Sequence, residues 1–596
     1  MIKKHYNFIL ILLIVLGISL RFYNLRYNTQ FNWDQENSVA FAAKEILSRH
    51  FPLIGARTGV GDMHIGPLYS YLAAIFFLFF RMDPISGAVL SGAISIVTIV
   101  SGYFLLKKIY DVSTALHFAL IWSVSTYIIS LERIPWNVNL LTLASLLTFC
   151  GLLLLFKKEM TRGWFFTGLG LFIAINSHFS VVMLLMNVLI LSVWKRELIN
   201  RKILIGAGWV IIGILPLLAF EMRHGYMMSA NFIKFLSSST SQTGNILQRL
   251  TFTTSIILNI VGKIILIDAG SFFGYLSSVI FIFLLLQQRR SYIFRIYIEV
   301  LFMYIIVYIL GFTLYSGSIP EYYFLGLIPL IVVGFSLLIS QRENERLNYR
   351  IPVILIAILI FINSFIYVNG IDPNGLGNKQ KTIEKIKNLS KGIPVSLVYD
   401  MEIDWSNGYK YLADYYNLKV LAKEETKNIY WISYPKRRFP GKPDYIFGDI
   451  TLGIPDTVSK IFSTKDINMF NNLFTMRVPR EWSVLQCPYI DYDKYIITPD
   501  NADSCNSNLQ SSTGIIVINQ RNCNLWDNEN KTDLKLNSEL TFFSINDFIT
   551  DTMYYPKYIT ATAFEKERCI LFVDLSNKGS PYISEKMKYL LENIKK

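Results

Sequence analysis

Long apolar runs separated by short clusters of Lys and Arg dominate the first 368 positions of the chain. The runs fall at 8–20, 85–106, 113–129, 140–156, 164–175, 181–193, 203–220, 272–286, 296–314, 323–339 and 351–368. A helix crosses a bilayer with about 20 mostly apolar residues, and with fewer if its ends are polar, so the pattern predicts about eleven membrane-spanning helices. The cations set their direction. Lys3/Lys4, Lys107/Lys108, Lys157/Lys158/Arg162, Lys195/Arg196/Arg201/Lys202, Arg289/Arg290/Arg295 and Arg342/Arg346/Arg350 occupy every second connection. Basic loops stay on the cytoplasmic side, which puts the N-terminus inside and the C-terminus outside, with Arg21 and Arg26 as outer-side exceptions. The run at 8–20 lacks a small-residue cleavage site after it and reads as an uncleaved signal-anchor. Two further apolar stretches do not fit as spans: 67–80 is short and would invert every later loop if counted as a crossing, and 246–267 is interrupted by Arg249 and Lys263. They read as amphipathic helices lying at the outer interface.

Beyond position 368 the periodicity changes. Apolar runs shorten to strand length, with strands expected at 395–399, 429–433 and 445–447 and a helix at 407–416. This predicts a small α/β module over 371–463, after a membrane domain of 1–370. A second α/β module is expected over 464–596, with strands at 473–478, 514–518 and 570–573 and a terminal amphipathic helix marked by Ile583, Met587, Leu590 and Ile594. Its stretch from Phe474 to Trp482 loosely resembles the opening of PsbP-like domains, a strand followed by Pro-x-x-Trp. Cys487, Cys505, Cys523 and Cys569 fall in this module. Outside the cytoplasm they permit two disulfides in three connectivities, and none has the C-x-x-C spacing of a zinc site. Cys150 lies within a span and reads as packing.

Composition sharpens the class. Hydrophobic residues make up 52% and charged residues 17%, too apolar for an ordinary soluble enzyme of 596 residues. The net charge of +14 is topogenic rather than a nucleic-acid footprint, because the cations sit between spans. The localisation expected is the plasma membrane, multi-pass, with the C-terminal region extracytoplasmic. The outer connections then gather Asp34, Glu36, Arg57, Asp62, His64, Glu132, Arg133, Asn137, Asn139, His178, Glu221, Arg223, His224 and Glu321. Any one could be an ordinary solvated loop residue. Together they suit a site handling a charged, membrane-borne substrate.

The first outer loop, Phe31-Asn-Trp-Asp34-Gln-Glu-Asn, puts an acid just after the first span, where it could cap the following helix. It also resembles the first-loop Asp-Glu motif of GT-C fold glycosyltransferases, particularly glycosyltransferase family 39, which includes the protein O-mannosyltransferases and the lipid A aminoarabinose transferases. Other landmarks follow in order over residues 1–368. His64-Ile-Gly-Pro-Leu-Tyr69-Ser-Tyr resembles the family's segment ahead of an interfacial helix. Ser130-Leu-Glu-Arg-Ile-Pro-Trp-Asn137-Val-Asn139 lies where the second outer loop carries its Arg and acids. Phe220-Glu-Met-Arg-His-Gly-Tyr226 resembles a segment of bacterial members, and Glu321-Tyr-Tyr-Phe324 the late loop with an aromatic pair.

The resemblance implies transfer of one sugar from a polyprenyl-phosphate donor to an acceptor hydroxyl on a protein, lipid or polysaccharide. Asp34 would be the general base of an inverting single displacement. The leaving phosphate wants cations or hydrogen-bond donors, for which Arg57, His64, Arg133, Arg223 and His224 are the candidates, His64 and Arg223 foremost. Glu36, Tyr69, Asn137, His178, Glu221, Tyr322 and Tyr323 complete the expected substrate-binding set. The sequence departs from the family at several points. Gln35 follows Asp34 where Glu is usual, Asn137 and Asn139 stand where many relatives carry Asp, and Glu321 replaces an Arg. No required cofactor or metal site is therefore expected, with Glu132 leaving a divalent cation open. A flippase or transporter of lipid-linked sugars is the rival class, but its charges should line a path near the midplane. A scaffold anchored by the spans is less economical still, since one span suffices. No P-loop or Rossmann fingerprint points to a soluble nucleotide-sugar donor.

Overall fold

The computed structural model describes residues 6–60, 63–238, 246–265, 270–288, 292–315, 317–344, 372–439 and 442–462, and beyond these only strands between 464 and 595. The chain divides into two units, Met1–Ile371 and Asp372–Lys596.

The first unit is helical. Its helices are α1 (Tyr6–Phe22), α2 (Ala42–Leu47), α3 (Leu68–Phe79), α4 (Ser86–Ile109), α5 (Val112–Val124), α6 (Thr126–Glu132), α7 (Asn139–Phe156) and α8 (Met160–Ile175). They continue as α9 (Val181–Trp194), α10 (Ile203–Arg223), α11 (Met227–Ser238), α12 (Ile246–Ile265), α13 (Ser271–Gln287), α14 (Tyr292–Leu314) and α15 (Ile328–Asn344). By length and composition five helices among the described residues can cross a membrane, or six if a bent pair counts as one, and the remaining apolar helices are shorter. This is the architecture of an integral membrane protein. The expected span at 351–368 lies outside the described residues, as does Asp62.

Helix α7 is apolar all round, and every one of its residues is buried by neighbouring helices. It meets α8 along small residues: a β-carbon at Gly170 would collide with Thr148 and the Ala144 carbonyl. Gly168 and Gly206 bring α8 against α10 in the same way. Small residues let helix backbones approach closely where lipid offers no hydrophobic drive. The other side of α10 is open, with Leu204, Ile211, Leu215, Leu218 and Met222 all exposed. In a bilayer that face meets lipid. At twelve residues α3 spans only about 18 Å, too short to cross.

One expected span is broken. The run at 113–129 reads as continuous, but the structure bends it by 64° between α5 and α6. Ser125 takes an extended conformation (φ −64°, ψ 113°), and its hydroxyl donates to the Ile264 carbonyl of α12 at 2.8 Å. No proline or glycine marks the break in the sequence. A tertiary hydrogen bond, invisible to periodicity, supports it.

The second unit opens with a four-stranded sheet of β1 (Ser396–Asp400), β2 (Ile429–Ser433), β3 (Tyr445–Phe447) and β4 (Ile450–Gly453), ordered β1-β2-β4-β3. The first two strands pair in parallel and β4 runs antiparallel to β2 and β3. The helices Leu376–Ser390 and Tyr409–Tyr415 accompany the sheet, and Val398, Trp431, Phe439 and Val458 form a core beside it. The sequence reading missed the helix Leu376–Ser390 and β4. Farther on, seven antiparallel strands between Ser483–Pro488 and Arg568–Asp574 form one sheet. The expected terminal helix does not reach Ile594, because Ile594–Lys595 is a strand paired with Thr475 and Met476. Residues 583–593, Cys505 and Cys523 lie outside the described residues.

Candidate functional site

Asp34 begins a π-helical stretch, Asp34–Phe41, that runs straight into α2. It is not a cap: Trp33 precedes it in helical conformation. Asp34 is exposed while Glu36, two positions on, is buried. Winding of the π type recurs at functional sites. Gln35 faces inward, donating to the Pro135 carbonyl at 3.2 Å and accepting from the Asn32 amide at 2.9 Å.

The Asp34 carboxylate lies within electrostatic reach of the Tyr322 hydroxyl. Tyr322 belongs to an aromatic cluster. Its ring lies 5.0 Å from Trp136, 5.7 Å from His178 and 5.0 Å from Tyr323. The hydroxyls of Tyr315, Tyr322 and Tyr323 are hydrogen-bonded in series. His178, in the turn between α8 and α9, sits 4.8 Å from Tyr323. Burial pushes its imidazole down to about 4. The Ser180 amide donates to its Nδ1 at 3.1 Å, so the neutral ring carries its proton on Nε2.

Residues 55–58 and 63–65 pair antiparallel as the two arms of a hairpin. Gly55 and Thr58 amides donate to the carbonyls of Ile65 and Met63, and Arg57 pairs with His64 across it. His64 donates from Nδ1 to the Gly55 carbonyl at 2.9 Å. Its Nε2 therefore donates to an anion only when the ring is doubly protonated. Arg57 is exposed beside it. The Tyr323 hydroxyl approaches Gly59 near the hairpin tip. The hairpin base is pinned by Asn176, whose Oδ1 accepts from the Leu68 amide at 3.3 Å, and a β-carbon at Gly66 would collide with that carboxamide. This explains the glycine in the His64-Ile-Gly-Pro motif. Asn137 donates to the Ser177 carbonyl at 2.6 Å, joining the loop before α7 to the α8–α9 turn.

The remaining expected residues are held elsewhere. Tyr69 is buried between α3 and α4, its hydroxyl on Ser91 at 3.2 Å. Arg133 donates to the carbonyls of Leu20 (3.0 Å), Arg21 (3.2 Å) and Tyr23 at the end of α1. Glu221 accepts from the amides of Met228 (2.8 Å) and Ser229 (3.0 Å), capping α11. His224 stacks on Phe220 and, like Arg223, is exposed. Among the described residues no hydrogen bond or ring contact joins either of them to the Asp34 cluster.

Sequence reading missed the strongest electrostatic feature. Arg21 and Glu132 form a fully buried ion pair at 2.6 Å. Ser95 and Trp122 also donate to Glu132, at 2.5 and 2.9 Å. Glu132 is thus occupied by a guanidinium. Among the described residues no three His, Cys, Asp or Glu side chains converge as metal ligands. The late loop carries a second pair, Lys263–Glu321 at 2.6 Å, with the Tyr127 hydroxyl also donating to Glu321. Lys263, which interrupts the apolar stretch at 246–267, is thus an ion-pair partner of the late loop.

The site thus joins Asp34, the Arg57–His64 hairpin, Trp136, Asn137, His178 and the Tyr322–Tyr323 pair from loops far apart in sequence. Comparisons with known proteins bear on the same unit. No curated protein matches the chain. Among solved structures, it is similar to ArnT from Cupriavidus metallidurans bound to undecaprenyl phosphate, at 10% identity over 75% of this chain and 97% of that one, with a TM-score of 0.48. It is also similar to the Archaeoglobus fulgidus oligosaccharyltransferase in complex with Zn and sulfate, at 12% identity over 71% and 67%, with a TM-score of 0.42. TM-scores this low carry no argument about the site. Residues 64–220, which include His64, Tyr69, Arg133, Asn137 and His178, match the family model described as dolichyl-phosphate-mannose-protein mannosyltransferase, so the resemblance in the loops is shared by this stretch of the membrane unit.

Proposed function

We propose that the chain is a membrane glycosyltransferase that moves one sugar from a polyprenyl-phosphate donor to an acceptor hydroxyl. The acceptor oxygen attacks C1 of the sugar while its proton passes to the Asp34 carboxylate. The C1–O bond to the lipid phosphate breaks, the phosphate leaves with the electron pair, and the anomeric configuration inverts. The observation that carries this reading is the exposed Asp34 carboxylate within electrostatic reach of the Tyr322 hydroxyl, while Glu36 near it in sequence is buried. Arg57 and His64, adjacent on the hairpin, are the partners we assign to the leaving phosphate. Arg57 replaces Arg223 in the pair expected from sequence. Trp136 and Tyr322, both partly exposed, offer ring faces to the sugar. The step balances without a metal ion. On the topology expected from the sequence, with about eleven spans and a cytoplasmic N-terminus, the reaction would occur at the outer membrane face.

A transporter reading would need charges along a path through the helices. The buried Arg21–Glu132 pair does not suit one, being locked by Ser95, Trp122 and three backbone carbonyls. The test is incubation of the purified protein with radiolabelled polyprenyl-phosphate sugars and cell-envelope extract. Label should leave the lipid and appear in an acceptor fraction, and Asp34→Asn should reduce the rate at least a hundredfold. Turnover unaffected by Asp34→Asn would remove Asp34 as base. A folded wild type that consumes no donor would remove the transferase.

A further inference from the structure

We infer that Arg133 acts through backbone carbonyls as a positioning residue for Asp34 and makes no contact with the donor phosphate. This rests on Asp34 being the base. Helix α1 ends at Phe22, and its last carbonyls have no partners within the helix. Arg133 supplies them: Nε donates to the Arg21 carbonyl, and Nη2 to those of Leu20 and Tyr23. A guanidinium there also complements the negative end of the helix dipole. The backbone of the same segment holds the other end of the loop. The Arg133 carbonyl accepts from the buried Thr29 hydroxyl at 2.8 Å, and two residues on, the Pro135 carbonyl accepts from Gln35 Nε2 at 3.2 Å. The segment 133–135 is therefore a strut between the end of α1 and Gln35, the neighbour of Asp34.

Glu132 grips α1 from the other side through Arg21. Two consecutive residues of opposite charge thus fix one helix end, Glu132 by the side chain of Arg21 and Arg133 by its carbonyl. Arg133 is itself 4% exposed. Its Nε and Nη2 are committed to the α1 carbonyls, and turning them to a lipid phosphate would cost those hydrogen bonds. A guanidinium at this point of the second loop looks from sequence like a phosphate ligand. Its three-carbonyl fork assigns it instead to holding the catalytic loop in register.

The two roles differ in kinetics. A base displaced by about 1 Å lowers kcat by up to a hundredfold without weakening donor binding. Arg133→Gln and Arg133→Lys are compared with Arg57→Gln in the full-length detergent-solubilised protein, using the radiolabelled polyprenyl-phosphate sugar that the wild type turns over. Arg133→Gln should lower kcat ten- to hundredfold with the donor KM within twofold. Arg133→Lys should behave like it, because an ammonium lacks the planar fork. Arg57→Gln should instead raise KM. A tenfold rise in donor KM in Arg133→Gln, or rescue of KM by Arg133→Lys, would overturn the inference in favour of a phosphate contact.

Hydrogen exchange gives a readout that does not depend on turnover. Amides over 24–37 should exchange faster in Arg133→Gln than in wild type, with melting temperature monitored to exclude global unfolding. Unchanged exchange there would overturn the clamp even if the wild type proved to consume no donor. That last result would fall on the transferase reading alone.

Discussion

Removing Glu132 should be among the most damaging single changes in the membrane unit. Its Oε2 accepts from Arg21 Nη2 at 2.6 Å, from Arg21 Nε at 3.1 Å and from Ser95 at 2.5 Å, while Oε1 accepts from Trp122 at 2.9 Å. The side chains of Arg21 and Glu132 are 0% and 3% exposed. Glu132→Gln keeps the shape but leaves a buried guanidinium without its counter-charge, and breaking a buried pair in this way costs about 3–5 kcal/mol. The lower end applies, because Arg21 retains the carbonyls of Gly17, Ser123 and Trp122 as acceptors. Arg21→Met strands the carboxylate instead, with Ser95 and Trp122 still donating, and should cost a similar amount. The double variant Arg21→Met/Glu132→Leu removes both charges, and the single variant Glu132→Leu closes its cycle. It should recover at least about 2 kcal/mol of the summed losses, because well-packed apolar replacements of buried pairs are often neutral. Unfolding in mixed micelles, followed by tryptophan fluorescence, measures all four corners of the cycle. Single losses under about 1 kcal/mol, or a double variant as damaged as the sum, would refute the claim that the pair is desolvated and coupled.

Acid should weaken the site before it unfolds the rest. His178 is held down to about 4 by burial, against about 6.5 when exposed. Its folded value lies below its unfolded one, so its contribution is complete above about pH 6.5 and falls as pH drops toward 4, by about 3 kcal/mol in total. His178→Phe keeps the ring but cannot titrate, and should flatten the stability profile between pH 6.5 and 4. A profile unchanged from wild type would show that another group governs it. Gly66→Ala should push the Asn176 carboxamide off the Leu68 amide, costing about 1–3 kcal/mol and lowering transfer by misplacing the Arg57–His64 hairpin. Unchanged melting and turnover would show that the hairpin absorbs the extra methyl group.

Much of the membrane unit is legible in one dimension. A helix in lipid satisfies its own backbone hydrogen bonds, so each apolar run announces a helix without reference to its partners. The strands of the second unit near 396, 429 and 445 are legible for a related reason, their β-branched and aromatic runs being bounded by turn residues. Asp34, His64, His178 and Tyr322 could be singled out because polar residues at the ends of apolar runs are conspicuous.

What the sequence could not assign was which of those polar residues face a substrate and which hold the helices together. Arg133, Glu132, Tyr69 and Glu221 have the same residue types as site groups and lie in or next to the outer connections, yet each is engaged with a backbone or side chain of another element. Arg21 and Glu132 are 111 positions apart, and nothing local to either shows that they meet. The bend at Ser125 likewise exists alongside a bond to the Ile264 carbonyl of another helix. Apolar patterning fixes where helices form because their hydrogen bonds close within about four residues. The choice between binding and structural roles depends on distances between distant segments and on how fully each charge is buried, quantities that only the packed tertiary structure defines.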